Sequence, residues 1–278
     1  MLVTGSLLVV HATSAQAIPT SGPTSGPTSG PTWGDKWGTA DQHSLVPAYF
    51  PPSSDLWHTM CKRMNRSKGG STAVMNPSNG PGLGVDPEYV DVIDYCHDKE
   101  QKVVGSTHTS YGARSTAEVK AEIDDYYAWY PEIDGIFLNE MSNDEADADY
   151  YAELYEYVKD ASGSGGSSVV GNPGAAAATD WQLSTPVVDK VVVFQGTDNT
   201  YLTWTAPDWV EDHPASDFVH LVYATADVAA LGEVCDRSRE QHAGSIYITD
   251  DTLPNQWDTL GGPLWKAQTP VKGEPACD

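Results

Sequence analysis

The sequence predicts a single (β/α)8 barrel of the TIM type. Eight short apolar runs, each bounded by turn residues, alternate with helical or loop segments along the 278-residue chain. Most of these runs end in polar or aromatic side chains, which is how barrels present functional groups. A doubly wound open sheet is the alternative. However, no Gly-x-Gly-x-x-Gly follows the first run, so nothing indicates a dinucleotide site.

The predicted strands are short runs rich in Val, Ile, Leu and Phe. In chain order they span Leu45–Tyr49, Ala73–Asn76, Val103–Thr107, Ile133–Glu140, Ser168–Gly171, Lys190–Phe194, Phe218–Val222 and Ser245–Ile248. The fourth run is central to the interpretation, because it ends abruptly in an amide and a carboxylate, Asn139 and Glu140.

Helices are predicted after the first four strands and after the seventh, from start signals and apolar spacing. The first begins at the cap cluster Ser53–Asp55, and the second begins at Asp86, with a proline in its first turn. The third opens on the capping box Ser115–Glu118. The fourth spans Asp144–Asp160, and the helix after strand seven spans about Asp227–His242.

Two segments before the barrel are predicted to lie outside the fold. Residues 1–17 have the apolar core and the Ala15–Ala17 small-x-small sequence of a secretory signal peptide, although a basic n-region is missing. Residues 18–40 contain three copies of Thr-Ser-Gly-Pro and are expected to form a flexible linker. The barrel domain is therefore predicted to occupy residues 41–278. We expect a secreted, extracellular or cell-surface monomer, and no run of about 20 apolar residues predicts a membrane span.

The composition is strongly acidic, with 39 Asp and Glu against 15 Lys and Arg and a formal net charge of −24. This excess argues against binding to nucleic acid or to anionic membrane surfaces, because no basic stripe is present to neutralise phosphates. It is compatible with a cationic partner, with adaptation to a saline habitat, or with a solvated acidic surface that has no specific binding function.

The four cysteines fit an oxidising compartment, and no pair has the spacing of Cys-x-x-Cys or of a zinc site. Cys61 and Cys96 each fall late in one of the first two predicted helices, and adjacent helices in the outer ring of a barrel bring them within bridging range. Cys235, in the helix after strand seven, and Cys277, in the tail, form the second predicted pair. Four cysteines allow three connectivities, so this pairing is a hypothesis.

Candidate functional residues collect at the carboxyl ends of the strands, where barrels carry their sites. They are Tyr49, Asn76, His108, Tyr111, Asn139, Glu140, Asn172, Gln195, Asp198, Tyr223, Asp250 and Asp251. Amides and acids bond hydroxyl groups, and aromatic faces stack on the C–H surfaces of sugars, so the set indicates a carbohydrate site. A phosphorylated substrate fits poorly, because neither a Gly-rich anion cradle nor a basic clamp is seen.

Several candidates fit structural roles equally well. His108 also fits a hydrogen-bonded structural histidine, Asp250 and Asp251 fit caps of the following turn, and Glu140 fits a residue that caps or solvates the next helix. Trp257 belongs to a final aromatic segment. Neither a metal nor a cofactor is expected, because no His-x-His, His-Glu-x-x-His or clustered Cys and His occurs. No Gly-x-Ser-x-Gly elbow indicates a serine hydrolase.

Six stretches, in order and at consistent spacing, carry a resemblance to a known family. They are Val46–Tyr49, Asn76–Gly82, Gly105–Gly112, Ile123–Tyr130, Asp134–Glu140 and Tyr247–Asp251. Together they resemble the spherulin-4 family of secreted barrel proteins. The resemblance implies an endo-acting glycoside hydrolase that cuts α-1,4-linked N-acetylgalactosamine polymers such as fungal galactosaminogalactan. It also implies an Asp-Glu pair at the end of strand four and a glutamate at the end of strand six.

Two of these implied acids are amides in this chain. Glu140 matches the second member of the pair, whereas Asn139 and Gln195 stand where the family has acids. An amide keeps the shape and hydrogen bonds of a carboxylic acid, but it neither ionises nor donates an acid proton. Both common glycosidase mechanisms require two carboxyl groups.

Two hypotheses follow from the sequence. In the first, the protein is a glycoside hydrolase in which Glu140 is the acid/base, Asn139 orients the substrate, and a second carboxylate comes from Asp198, Asp250 or Asp251. In the second, the barrel is catalytically impaired and binds a cell-surface or matrix polysaccharide. In both, the partner is an amino-sugar polysaccharide, which is cationic where it is deacetylated and is then attracted to the acidic surface.

Overall fold

The computed structural model describes residues 42–64, 70–161 and 167–269. Within them, eight parallel strands form a closed barrel in which each strand pairs with the next and β8 pairs with β1. The predicted (β/α)8 fold is confirmed. The strands are β1 His43–Ala48, β2 Thr72–Met75, β3 Lys102–His108, β4 Gly135–Asn139, β5 Ser168–Asn172, β6 Lys190–Thr197, β7 Phe218–Tyr223 and β8 Ser245–Ile248.

Helices follow the strands and form the outer layer of the barrel. They are α1 Asp55–Arg63, α2 Pro87–His97, α3 Thr116–Trp129, α4 Ala148–Ala161, α5 Trp181–Ser184, α6 Asp198–Tyr201, α7 Val228–Glu240 and α8 Gly262–Gln268. The helices after β5 and β6, which were not predicted from the sequence, have only four residues each. The predicted capping box is present, because the Ser115 side chain accepts from the Glu118 N–H while the Glu118 carboxylate accepts from the Ser115 N–H.

The strands are buried between the barrel interior and the helices, which explains why they are almost continuously apolar. Tyr126 of α3 is a large aromatic residue that fills this layer. It packs directly on β3, where a Cβ on Gly105 would lie 2.5 Å from its ring, and its hydroxyl donates to the Ser106 carbonyl oxygen at 2.7 Å. Glycine is therefore required at position 105 for close contact between helix and strand.

One strand extends further than the sequence indicated. β6 continues past the predicted end at Phe194 to Thr197, because Gln195 and Thr197 are register partners of Leu221 and Tyr223 in β7. Gln195 consequently lies inside a strand and has a fixed direction, rather than lying in the loop that follows. The main-chain pairing of two neighbouring strands, which local sequence does not show, determines this end point.

The predicted disulfide between α1 and α2 is confirmed. Cys61 and Cys96 are bonded, and their Cα atoms lie 5.1 Å apart. Cys235 is buried in α7, while its predicted partner Cys277 lies outside the described residues. The predicted leader and linker, residues 1–40, also lie outside them. Among the helices of the described ranges, none combines the length and apolar character needed to cross a bilayer.

Candidate active site

A cavity of about 540 Å³ opens at the carboxyl ends of the strands. We call this end of the barrel the mouth and the opposite end the base. The cavity is lined by strand ends and by the loop that follows β8. The lining residues are Pro47, Tyr49, Tyr111, Phe137, Asn139, Glu140, Asn172, Pro173, Gly174, Gln195, Leu221, Pro254, Asn255, Gln256, Trp257 and Asp258. The volume and the mixture of apolar and polar groups are typical of a small-molecule or oligosaccharide site.

Asn139 and Glu140 are consecutive residues, yet both line the cavity. Successive side chains of a regular strand point to opposite faces, so one of the two would normally point away. β4 ends at Asn139, however, and Glu140 adopts a left-handed backbone with φ of +51°, which turns its side chain towards the mouth. Such a conformation is strained for a residue with a side chain and is common at functional sites.

Main-chain and side-chain hydrogen bonds hold Glu140 in this conformation. Its carbonyl oxygen accepts from the Tyr111 N–H and from the Thr109 hydroxyl, both at 2.7 Å. The Thr109 hydroxyl also bonds to the Tyr151 hydroxyl at 2.9 Å, and the latter accepts from the Ser142 N–H at 2.7 Å. Since Thr109 and Tyr151 are fully buried, this relay fixes both sides of the turn at Glu140.

The carboxylate of Glu140 has no hydrogen-bond or ion-pair partner within the described part of the chain. The ring of Tyr49 lies beside it in the cavity. Burial, opposed by a hydrogen bond with Ser106 and reinforced by the charge of Glu140, raises the pKa of Tyr49 to about 12. The cavity therefore holds the side chain of Glu140 next to a phenol that stays protonated at neutral pH.

Three side-chain amides form a hydrogen-bonded chain across the ends of β4, β5 and β6. Asn139 and Asn172 are register partners in the sheet, and the Asn172 Nδ2 donates to the Asn139 Oδ1 at 2.9 Å. The same nitrogen donates to the Gln195 Oε1 at 3.1 Å. The Asn172 Oδ1 accepts from the Gly174 N–H at 3.0 Å. We call Asn139, Asn172 and Gln195 the amide chain.

The loop after β8 supplies cavity residues that sequence reasoning missed. Trp257 is nearly buried, and its ring lies 6.0 Å from that of Tyr223 and 5.9 Å from that of Tyr247. Its carbonyl oxygen accepts from the Tyr49 N–H at 3.2 Å, which ties the loop to β1. This anchoring places the next residue, the exposed Asp258, at the cavity as a second carboxylate. The sequence could have indicated Asp258, because it lies in the loop that follows the last predicted strand, at the end of the barrel where sites occur.

The remaining predicted site residues lie around the mouth but do not line the cavity. The Asn76 Oδ1 accepts from the Gly80 N–H at 3.0 Å and so shapes the loop after β2. The His108 Nδ1 lies 3.1 Å from the Asn79 carbonyl oxygen, and Asp198 is buried at the start of α6. These three side chains contact neighbouring parts of the protein and do not face the cavity.

The last three predicted residues lie in or beside the loop after β8. Tyr223 packs against Trp257, and Asp250 is exposed. The Asp251 Oδ2 accepts from the Thr259 hydroxyl at 2.5 Å, and its carbonyl oxygen accepts from the Ala224 N–H at 2.8 Å. Within the described ranges, no group of three or more His, Cys, Asp or Glu side chains is arranged to hold a metal ion.

Comparison with known proteins adds a family and a related structure. Residues 43–270 match the model of spherulation-specific family 4. Spherulin-4 of Physarum polycephalum is 29% identical over 217 residues, which cover 74% of this chain and 62% of that protein, so the chain spans less than two thirds of that relative. The crystal structure of Sph3 from Aspergillus clavatus, in complex with GalNAc, matches with a TM-score of 0.66 at 24% identity. The match covers 82% of this chain and 95% of that one.

Proposed function

Because the chain belongs to spherulation-specific family 4, we propose that it is a glycoside hydrolase that acts on an amino-sugar polysaccharide at the mouth cavity. The observation that carries the proposal is the carboxylate of Glu140, which lines the cavity and has no protein partner in the described residues. A strained turn that leaves an acid open to a ligand costs stability, which is expected where the acid does chemistry.

The proposed mechanism uses the two carboxyl groups of the cavity. Glu140 donates a proton to the glycosidic oxygen while the bond from that oxygen to C1 breaks. Asp258 takes a proton from the water molecule that attacks C1, so that the products are two shorter chains. Asp258 replaces Asp198, Asp250 and Asp251 as the proposed second carboxylate, because it lines the same cavity as Glu140 and they do not.

The proposed substrate is a polymer of N-acetylgalactosamine with α-1,4 linkages. The sugar is the one present in the Sph3 complex, and the linkage comes from the family resemblance of the sequence. The aromatic rings of Tyr49, Tyr111 and Trp257 give the cavity flat apolar surfaces that suit sugar rings. Tyr111 is 64% exposed and is available for such stacking.

Product release tests this proposal. We expect the wild-type protein to generate new reducing ends from α-1,4-linked N-acetylgalactosamine oligomers. Glu140→Gln, which keeps the shape of the side chain, is expected to lower the rate by about 10²- to 10⁴-fold, and Asp258→Asn should lower it by a similar order. Asp250→Asn is the matched control, since this carboxylate lies at the same end of the barrel outside the cavity and should leave the rate unchanged.

A second candidate function is polysaccharide binding without hydrolysis. It is favoured by the amide chain, because the three side chains that line the cavity with Glu140 at the ends of β4, β5 and β6 neither ionise nor donate an acid proton. Binding of the oligomers by a wild-type protein that releases no product would support this function and contradict hydrolysis. Product release that disappears in Glu140→Gln would support the enzyme.

We also propose that the protein is exported to an oxidising compartment. The Cys61–Cys96 disulfide supports this, because such bonds persist mainly outside the reducing cytosol. The intact mass of protein recovered from the medium of its native host tests it. We expect a chain that begins at Ile18, after removal of residues 1–17; a mass that includes the leader would contradict the proposal.

A further inference from the structure

We propose that Arg114 and Glu122 are positioning residues that hold the exposed ring of Tyr111 at the edge of the mouth cavity, so that a sugar binds to a surface already in place. The inference rests on the proposed function in one respect, namely that the mouth cavity binds a sugar oligomer. It holds whether the bound oligomer is then hydrolysed or only retained.

The loop between β3 and α3 has a main chain that is costly to form. Ser110, Tyr111 and Gly112 are consecutive residues with φ of +48°, +56° and +82°. Glycine adopts such a left-handed conformation freely, whereas residues with a Cβ adopt it at a cost and usually one at a time. Contacts with the surrounding structure must therefore determine this conformation, as is common in loops that bind ligands.

Main-chain hydrogen bonds fix the path of this loop. The Gly112 and Arg114 N–H groups both donate to the Thr109 carbonyl oxygen, at 3.1 and 3.2 Å. The Tyr111 N–H donates to the Glu140 carbonyl oxygen at 2.7 Å, which joins the loop to the end of β4. The ring of Tyr111 lines the cavity but is 64% exposed, so its position depends on the rigidity of the loop.

The guanidinium of Arg114 binds the elements on both sides of the loop. Its Nη1 donates to the His108 carbonyl oxygen at the end of β3, at 2.7 Å. Nη1 and Nη2 donate to the two carboxylate oxygens of Glu122 in α3, at 3.2 and 2.6 Å. The Glu122 carboxylate also accepts from the Thr107 hydroxyl in β3. Strand, loop and helix are therefore joined at one ion pair, which we call the clamp.

The clamp depends on the shape of arginine as well as on its charge. Only 18% and 23% of the Arg114 and Glu122 side chains are exposed, so solvent screens the pair less than a surface pair. The hydrogen bonds with Glu122 raise the pKa of Arg114 above its ordinary value, and the guanidinium remains charged. Lysine has the same charge but lacks the planar fork that bonds both carboxylate oxygens. Arg114→Lys therefore removes the geometry and keeps the charge.

A looser clamp should weaken binding and leave the chemical step unchanged. A mobile Tyr111 ring must be ordered when a ligand binds, and this ordering lowers the affinity. Glu140 keeps a second donor to its carbonyl oxygen, the Thr109 hydroxyl at 2.7 Å, when the Tyr111 N–H moves. We therefore expect the dissociation constant and KM to rise while kcat stays the same.

Affinity for a short α-1,4-linked N-acetylgalactosamine oligomer tests the inference. It is measured by calorimetry in the Glu140→Gln background, so that the oligomer is not cleaved. Arg114→Lys and Glu122→Gln should each weaken binding by about five- to tenfold, and without Glu140→Gln they should raise KM to the same extent. Hydrogen–deuterium exchange should show weaker protection of residues 109–113 in both variants.

A double-variant cycle separates positioning of the ring from a general effect on the fold. Arg114→Lys should weaken binding when Tyr111 is present and have little further effect in Tyr111→Ala. Lys120→Gln is the matched control, because it breaks an ion pair between α3 and Glu153 of α4. It should change neither the affinity nor the exchange of the loop, and thermal unfolding should show that all the variants fold.

Additive effects of Arg114→Lys and Tyr111→Ala on affinity, or unchanged exchange and affinity in Arg114→Lys, would overturn the inference while the amino-sugar site stands. A lower kcat with an unchanged KM would also overturn it, because the clamp would then act on Glu140. Absence of both binding and product release in every variant and in the wild type would overturn the inference and the proposed function together.

Discussion

The base and the mouth of the barrel use acidic side chains in opposite ways. At the base, the Asp134 Oδ2 accepts from the Val103 N–H at 2.7 Å and lies 2.9 Å from the His97 Nε2. The Asp189 Oδ2 accepts from the Val169 N–H at 2.7 Å and from the Lys159 Nζ at 2.6 Å. Each of these carboxylates joins the start of one strand to a neighbouring element.

At the mouth, polar groups are held in place but left open. Within the described residues, the Glu140 carboxylate, the Asn139 Nδ2 and the Gln195 Nε2 have no partner, and the backbone of Glu140 is strained. Residues with positive φ that lie at the mouth are Asn79, Ser110, Tyr111, Glu140 and Ala224. The comparison shows that the base uses its charges for stability, whereas the mouth keeps its groups available for a ligand at some cost in stability.

The largest stability effect is expected near the base, where Cys61 and Cys96 join the last turns of α1 and α2. The bond spans 35 residues, and Cys61→Ser with Cys96→Ser should lower the free energy of unfolding by about 4 kcal/mol. Urea denaturation of the oxidised wild type and the double variant measures this. Equal free energies of unfolding would contradict the assignment of stability to this end of the barrel.

A smaller, pH-dependent effect is expected from His220 in the barrel wall between the two ends. Burial, with a smaller contribution from His242, lowers the pKa of His220 to about 3, and its Nδ1 bonds to the Tyr201 hydroxyl. As the pH falls below about 6.5, His220 binds a proton in the unfolded chain but stays neutral in the folded protein. The free energy of unfolding therefore decreases until about pH 3, where His220 is also protonated in the folded protein.

This His220 contribution amounts to about 2 kcal/mol at pH 5. His220→Gln, which does not titrate in this range, should show a shallower fall of the unfolding free energy between pH 6.5 and pH 4 than the wild type. Parallel curves for the two proteins would show that His220 does not cause the acid sensitivity.

A still smaller stability effect is expected from Thr109, which positions Glu140 at the mouth. Thr109→Val removes the hydroxyl that bonds to the Glu140 carbonyl oxygen, at a cost of about 1 kcal/mol in the free energy of unfolding. Because the turn at Glu140 loosens, product release should fall by about tenfold with little change in KM. Thr109→Ser should restore the rate. A stability loss with an unchanged rate would mean that Thr109 has a structural role only.

The framework of the barrel could be predicted because its signals are local. The cap at Ser115, the proline at the start of α2 and the apolar runs each depend on a few neighbouring residues. Even the pair Asn139 and Glu140 could be singled out, since a short apolar run ends there. The family and the Cys61–Cys96 bond were also within reach of the sequence.

The details of the site could not be predicted because they depend on contacts between distant parts of the chain. Asp258 reaches the cavity because Trp257 packs between Tyr223 and Tyr247 and bonds to β1. Asp198, which looked equally suitable, begins a four-residue helix and is buried outside the cavity. The amide chain required the register of β4 with β5, and no local pattern shows that register.

A matched pair of isosteric variants tests the contrast between the two ends most directly. Glu140→Gln changes the mouth and Asp189→Asn changes the base, and both the free energy of unfolding and product release are measured for each. We predict that Glu140→Gln abolishes product release and changes stability by less than about 0.5 kcal/mol. Asp189→Asn should lower stability by about 2 kcal/mol with the release rate unchanged. A destabilised Glu140→Gln that still releases product at the wild-type rate would contradict the account.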